Sequence, residues 1–144
     1  EYVYNQPRAH GVNWRYIRYA DVLMMYAEAV VSGGTQASNM TPLQAVNKVR
    51  GRANMSELPS VTMADIQNER ILEFALEGHR FYDLLRWGEL SKRFSDLTAS
   101  DPHFKKFISE TDYKGFVTNK HEWLPIPLNE VNNNPYITEN NPGY

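Results

Sequence analysis

The sequence contains no cysteine, which excludes disulfides, thiolate metal sites and thiol nucleophiles, although not an oxidising compartment. It also lacks any apolar run near the ~20 residues that a membrane-spanning helix needs, so attachment to a bilayer would have to come from another segment. Positive charge is not in excess either: 15 Lys and Arg against 17 Asp and Glu leave a formal net charge of -2. The basic field that holds phosphate backbones is missing, and nucleic acid is not an expected partner. The opening Glu1-Tyr2-Val3-Tyr4 has no initiator Met and no export leader, so the expectation is a fragment whose signal lies in chain not shown.

What is present fits a globular domain. The 144 residues are 42% hydrophobic and 22% charged, near the average for soluble domains, and a chain of this size buries roughly 70% of its unfolded surface. A single domain is expected. Aromatics reach 12%, with nine Tyr and three Trp; such rings stack on sugars and, more often, fill cores.

Periodicity predicts helices over 15–32, 42–53, 63–77 and 80–88, an all-α, mainly helical fold. In the first, Arg15, Arg18, Asp21, Glu28 and Ser32 recur every three or four residues among Tyr, Val, Leu, Met and Ala, giving an apolar surface wide enough to need neighbours on more than one side. Gly33-Gly34 ends it. Thr41-Pro42-Leu43-Gln44 is a capping-box start with Pro at the first helical position, and Leu43, Val46, Val49 and Ala53 form the inward stripe of the second helix. Thr62 opens the third, with Asp65 in its first turn, and Gly78 breaks or kinks it after Glu77. The fourth sets Phe81, Leu84, Leu85 and Trp87 against Arg80, Asp83 and Arg86, and Gly88 stops it. Residues 89–122 lack a sustained period and read as short helical turns and loop. Leu124-Pro125-Ile126-Pro127 must be extended, and the Asn- and Pro-rich tail should wrap the surface irregularly. The first two helices make a hairpin of tetratricopeptide type, although Ala45 and Val49 meet that repeat only loosely and no second copy is visible.

The chemical candidates each have a structural reading that outweighs the functional one. Glu69, Glu73 and Glu77 lie four apart with Arg70 beside them. Carboxylates on one helix edge cannot flank a glycosidic bond, so an ion-pair network in which Arg70 bridges Glu73 and Glu77 is favoured. Neither Glu-x-x-His nor His-Glu-x-x-His spacing occurs, so no metal is expected. His79 and Asp83 could form a dyad, but no nucleophile elbow accompanies them. The favoured reading is local pairing of His79 beside a charged ladder of Arg80, Asp83 and Arg86. No phosphate-cradling loop is present, and no cofactor is expected. Of the tryptophans, Trp87 and Trp123 read as packed, and Trp14 alone is held open as a ligand contact.

Four ordered segments resemble one family. Arg18 to Ala29 is similar to its "RYADVLLMYAEA" helix, and Leu43 to Asn54 to its "A-x-x-x-x-N-x-V-R-x-R-A" helix. Ile66 to Gly88 resembles "ER-x-x-E-x-x-x-EGHR-[FWY]-x-D-L-x-RWG", and Leu124-Pro125-Ile126-Pro127 with Asn140-Asn141-Pro142-Gly143-Tyr144 looks like its "LPIP … N-P-G-Y" ending. On these residues the chain resembles the C-terminal portion of a SusD/RagB-type nutrient-binding lipoprotein.

The resemblance implies a stack of tetratricopeptide-like helical hairpins with an irregular, extended C-terminal segment. It implies a non-enzymatic protein on the outer face of the outer membrane, lipid-anchored through the missing N-terminal part and partnered by a SusC-like TonB-dependent transporter. Its ligand would be an oligosaccharide, or a peptide for some members, held mostly by the remainder of its own chain, so no ligand residue is carried over. A tetratricopeptide-type protein-interaction module would explain the helices alone, and an enzyme the carboxylates alone. The first would show further repeats and a concave groove; the second would show polar groups converging in a pocket.

Overall fold

In the computed structural model, residues 16–101 and 116–144 are described. The chain divides into two compact units, Glu1–Ala75 and Leu76–Tyr144. Every regular element among the described residues is a helix: α1 Tyr19–Val31, α2 Pro42–Arg52, α3 Met63–Glu73, α4 Arg80–Arg86, α5 Leu90–Ser100 and α6 Leu128–Asn133. The all-α class expected from periodicity is the class observed.

In the first unit α1, α2 and α3 close around one core of Leu23, Met24, Ala27, Ala45, Val46, Val49, Ile66 and Phe74. Met24, Val46, Val49 and Ile66 are its largest fully buried side chains, each contributing about 1.5–3 kcal/mol of transfer free energy before the entropy of ordering is charged against it. The second helix turns its stripe slightly from the expected one: Ala45, Val46 and Val49 are buried, whereas Ala53 is the exposed C-cap. The α1–α2 hairpin is stapled by one phenol. Tyr26 Oη donates to the Met40 carbonyl and accepts from the Ala37 amide. Gly34 donates its amide to the Ala29 carbonyl, and any Cβ there would meet that oxygen at 2.7 Å, so the turn closing α1 needs glycine at this position.

The caps follow the sequence. Thr41 accepts from the Gln44 amide at 3.1 Å while Gln44 Oε1 accepts from the Thr41 amide at 2.8 Å, and Thr62 and Asp65 exchange the same pair of bonds at the start of α3. Each box satisfies two donors that a helix start leaves open.

In α1 Asp21 and Glu28 are buried while Tyr19, Val22 and Met25 are exposed, and Asp21 faces inward as the partner of Arg70 on α3. Two expectations are corrected. The third helix stops at Glu73 and not at Glu77. Leu76 and Gly78 take positive φ of 65° and 82°, a conformation that no α-helix continues through. Residues 89–122 hold more than the short helical turns expected, since α5 occupies 90–100. Its signal is Leu90, Phe94 and Leu97 at helical spacing, supported by Glu89–Arg93 and Lys92–Asp96 pairs four apart, with few apolar residues to raise it above its polar neighbours.

In the second unit the extended Leu124–Pro127 segment forms no strand. Asn140 clasps it instead, accepting from the Ile126 amide at 2.8 Å and donating to the Ile126 carbonyl at 3.0 Å. Asn141 adds a bond to the Leu124 carbonyl and Tyr144 Oη one to the Trp123 carbonyl. Side-chain amides thus supply partners that proline-rich backbone cannot find in a sheet. Asn47 does the same in the first unit, exchanging two bonds with the backbone of Leu58 at 2.9 and 3.0 Å.

Candidate functional site

The charged groups singled out in the sequence fall into both units: Glu69, Arg70 and Glu73 in the first, and Glu77, His79, Arg80, Asp83, Arg86 and Trp87 in the second. On α3 the pairs run between helices. Arg70 Nη1 donates to Asp21 Oδ1 of α1 at 2.9 Å, Arg50 Nη1 of α2 donates to Glu69 Oε2 at 2.7 Å, and Glu73 receives Arg18 Nη1 at 2.8 Å and Arg52 Nη2 at 2.6 Å on its two oxygens. Arg18 also donates to the Glu73 backbone carbonyl. The guanidinium groups of Arg18 and Arg70 both lie over the Phe74 ring, 5.0 and 4.9 Å from its centre, where the ring's quadrupole favours a cation. Spacing along α3 identifies which residues are charged; it does not identify Arg18, Asp21, Arg50 and Arg52 as their partners, because those lie on other helices.

This arrangement is ill suited to acid–base work. A general acid needs room for a substrate, whereas Glu73, its side chain 4% exposed, is held by two guanidinium groups and Glu69 by one. Asp65 is stabilised as the anion, below the usual carboxylate range, chiefly by the Thr62 hydroxyl and then by the Thr62 amide.

In α4, Arg86 donates through Nε and Nη2 to Asp83 Oδ1 at 3.1 and 2.9 Å, and its guanidinium covers the Trp87 ring at 4.8 Å. Asp83 is buried beside Leu84. Arg80 is lowered from the usual guanidinium value by burial and then by Arg93, with Asp83 and Glu89 opposing. His79 occupies the N-cap position of α4 and makes no side-chain capping bond there.

Of the three tryptophans, Trp14 lies outside the described residues. Trp87 is half-buried. Trp123, expected to pack, is 56% exposed, because the clasp holds the backbone of Leu124–Pro127 without requiring that side chain to be covered. Beside it, Glu122 Oε2 is buried with no hydrogen-bond partner among the described residues, and Lys120 Nζ sits 4.7 Å from the centre of the Tyr144 ring. Among the described residues no group of three or more His, Cys, Asp or Glu is placed to hold a metal ion, and no helix is long and apolar enough to cross a membrane.

The four sequence segments and the three-helix unit agree with one set of known proteins. The profile of the SusD family matches residues 4–144. The chain belongs to the SusD family. Among its relatives, SusD-like protein P25 of Formosa agariphila is 35% identical over 154 residues, covering 97% of this chain and 27% of that protein. The starch-binding protein SusD of Bacteroides thetaiotaomicron is 29% identical over 130 residues, covering 85% of this chain and 20% of its own length. A solved laminarin-binding SusD-like protein superposes with a TM-score of 0.64 at 35% identity, covering 90% of this chain and 23% of that one. The chain therefore spans about a quarter of the length of such relatives.

Proposed function

We propose that this chain is the C-terminal portion of a non-catalytic surface receptor that captures oligosaccharides for import through a SusC-like TonB-dependent transporter. The observation that carries the reading is the 35% identity over 90% of the chain with a SusD-like protein named for laminarin binding, beside a relative named for starch binding. The location that goes with it is the outer face of the outer membrane, with a lipid anchor in chain preceding this portion. The use of Glu69 and Glu73 as arginine ligands supports a binder over a hydrolase. Trp14 is the ring in this portion that we assign as a candidate sugar contact, and the rest of the glycan site falls to the remainder of the chain.

The test is calorimetric titration of the full-length protein with laminarin, amylose, fructan and host-type glycans, alongside an assay for released reducing sugar. Saturable binding to at least one glycan with no sugar release is expected. Sugar release that is abolished by Glu73→Gln would make the protein an enzyme, and binding of peptides in place of every glycan would make it a peptide receptor of the same family.

A further inference from the structure

The antiparallel α1–α2 hairpin leaves an open cleft of about 320 Å³ where the start of α1 meets the end of α2. Leu23 and Val49 form its apolar floor and Tyr19 one wall, while Arg18, Lys48 and Arg52 stand around it. Arg18 and Arg52 share the Glu73 carboxylate. Lys48 has no carboxylate partner among the described residues: its ammonium group rests 5.3 Å from the centre of the Tyr19 ring and 3.5 Å from its hydroxyl. The cleft is thus an apolar hollow with an excess of positive charge at its mouth.

We propose that this cleft docks an acidic protein segment, one that inserts a single apolar side chain between Tyr19 and the Leu23–Val49 floor and sets a flanking carboxylate against Lys48. Three observations select that occupant. Ligand pockets run ~300–1,000 Å³, so the cleft takes one or two side chains and not a run of sugars. Its lining offers cations and apolar surface with the Tyr19 hydroxyl as its main acceptor, and a sugar brings as many hydroxyl donors as acceptors, so its donors would go unsatisfied. A carboxylate, by contrast, would pair with Lys48, the lining cation with no carboxylate partner among the described residues, and charge complementarity of this kind fixes register and speeds association. Peptide segments that anchor through one buried side chain and a charged flank are a recurring mode of recognition at helical surfaces.

The experiment uses full-length protein and a fluorescein-labelled capped pentapeptide, Glu-Glu-Phe-Glu-Glu, read by anisotropy. Saturable binding is expected, weakened at least fivefold by Lys48→Glu, at least fivefold by changing the peptide's Phe to Ala, and abolished when its Glu residues become Lys. Tyr19→Ala, at an exposed position, should weaken it similarly. Melting temperature and affinity for the glycan that saturates the parent protein should hold in both variants, which separates this site from the glycan site. The proposal falls if the peptide does not saturate, if Lys48→Glu or the Phe-to-Ala peptide binds as tightly as the parent pair, if that glycan displaces the peptide, or if phenylacetate alone competes as well as the peptide does, which would make the cleft a site for free organic acids.

Discussion

Arg70 of α3 and Asp21 of α1 form an ion pair at 2.9 Å with side chains only 4% and 8% exposed, across 49 residues of chain. A pair this dry contributes little over two apolar residues, yet removal of one partner strands the other charge away from water. Asp21→Ala should therefore cost about 3–5 kcal/mol in urea denaturation of the full-length protein. Replacing both, as Asp21→Leu with Arg70→Met, should recover most of that loss. A cost for Asp21→Ala below about 0.5 kcal/mol, the range of ordinary surface changes, would show that the pair does not hold α1 to α3.

Glu73 is unequal in what its two arginines give it. Arg52 is 62% exposed, and exposed pairs are worth about 0–1 kcal/mol, so Arg52→Ala should barely move the denaturation midpoint. Glu73→Gln should cost about 2–4 kcal/mol, because Arg18 and Arg52 would then repel each other beside a buried amide. Equal effects of the two changes would contradict this ranking.

At the second unit, Asp83→Ala should destabilise by about 1–3 kcal/mol, typical of a lost charged hydrogen bond, since Asp83 is buried and bound by Arg86. Glycan affinity of the still-folded full-length protein should stay within about threefold, less than 1 kcal/mol. Unchanged melting with abolished binding would instead make the segment around Asp83 a ligand site.

Asp65 supplies a pH signature. Its folded pKa is depressed by Thr62, so its contribution to stability is present above the unfolded value, ~3.9, and is lost as pH falls through the folded value beneath it. In Thr62→Ala the Asp65 carboxyl resonance should titrate at higher pH than in the parent, by NMR. An unmoved titration would mean that the capping box does not persist in solution.

Asn140→Ala should free the Ile126 amide, raising its hydrogen-exchange rate at least tenfold while leaving amides of α1–α3 protected, and Asn47→Ala should do the same at Leu58. Each deletes both bonds to the clasped backbone at once. Unchanged exchange at either position would show that neighbouring packing, not the amide, holds the segment.

Elements governed by local chemistry were legible from sequence. The Thr41 and Thr62 caps, the break at Gly33 and the extended proline segment are written in adjacent residues. The α3 charges were legible as residues and not as pairs, since their partners lie 19 to 55 positions away and nothing local distinguishes Asp21 from a solvent-facing acid. Trp123 was misjudged for the opposite reason: an aromatic before prolines implies packing only if the side chain anchors the segment, and here Asn140 does so from 14 residues downstream. The family resemblance rested on four motifs, and the geometry now gives several of their residues a task, with Asn47, Arg50, Arg52, Glu69, Arg70 and Glu73 all engaged between elements.

The shared grip of Arg18 and Arg52 on Glu73 also restricts how this chain can drift. Reversal of the charge at position 73 alone would leave three cations converging, and reversal at 18 or 52 alone would set an acid against a carboxylate already buried. Positions 18 and 73 should therefore be inherited as a couple across relatives, with 52 free to become neutral but not acidic beside them, while 21 with 70 and 50 with 69 vary as separate couples.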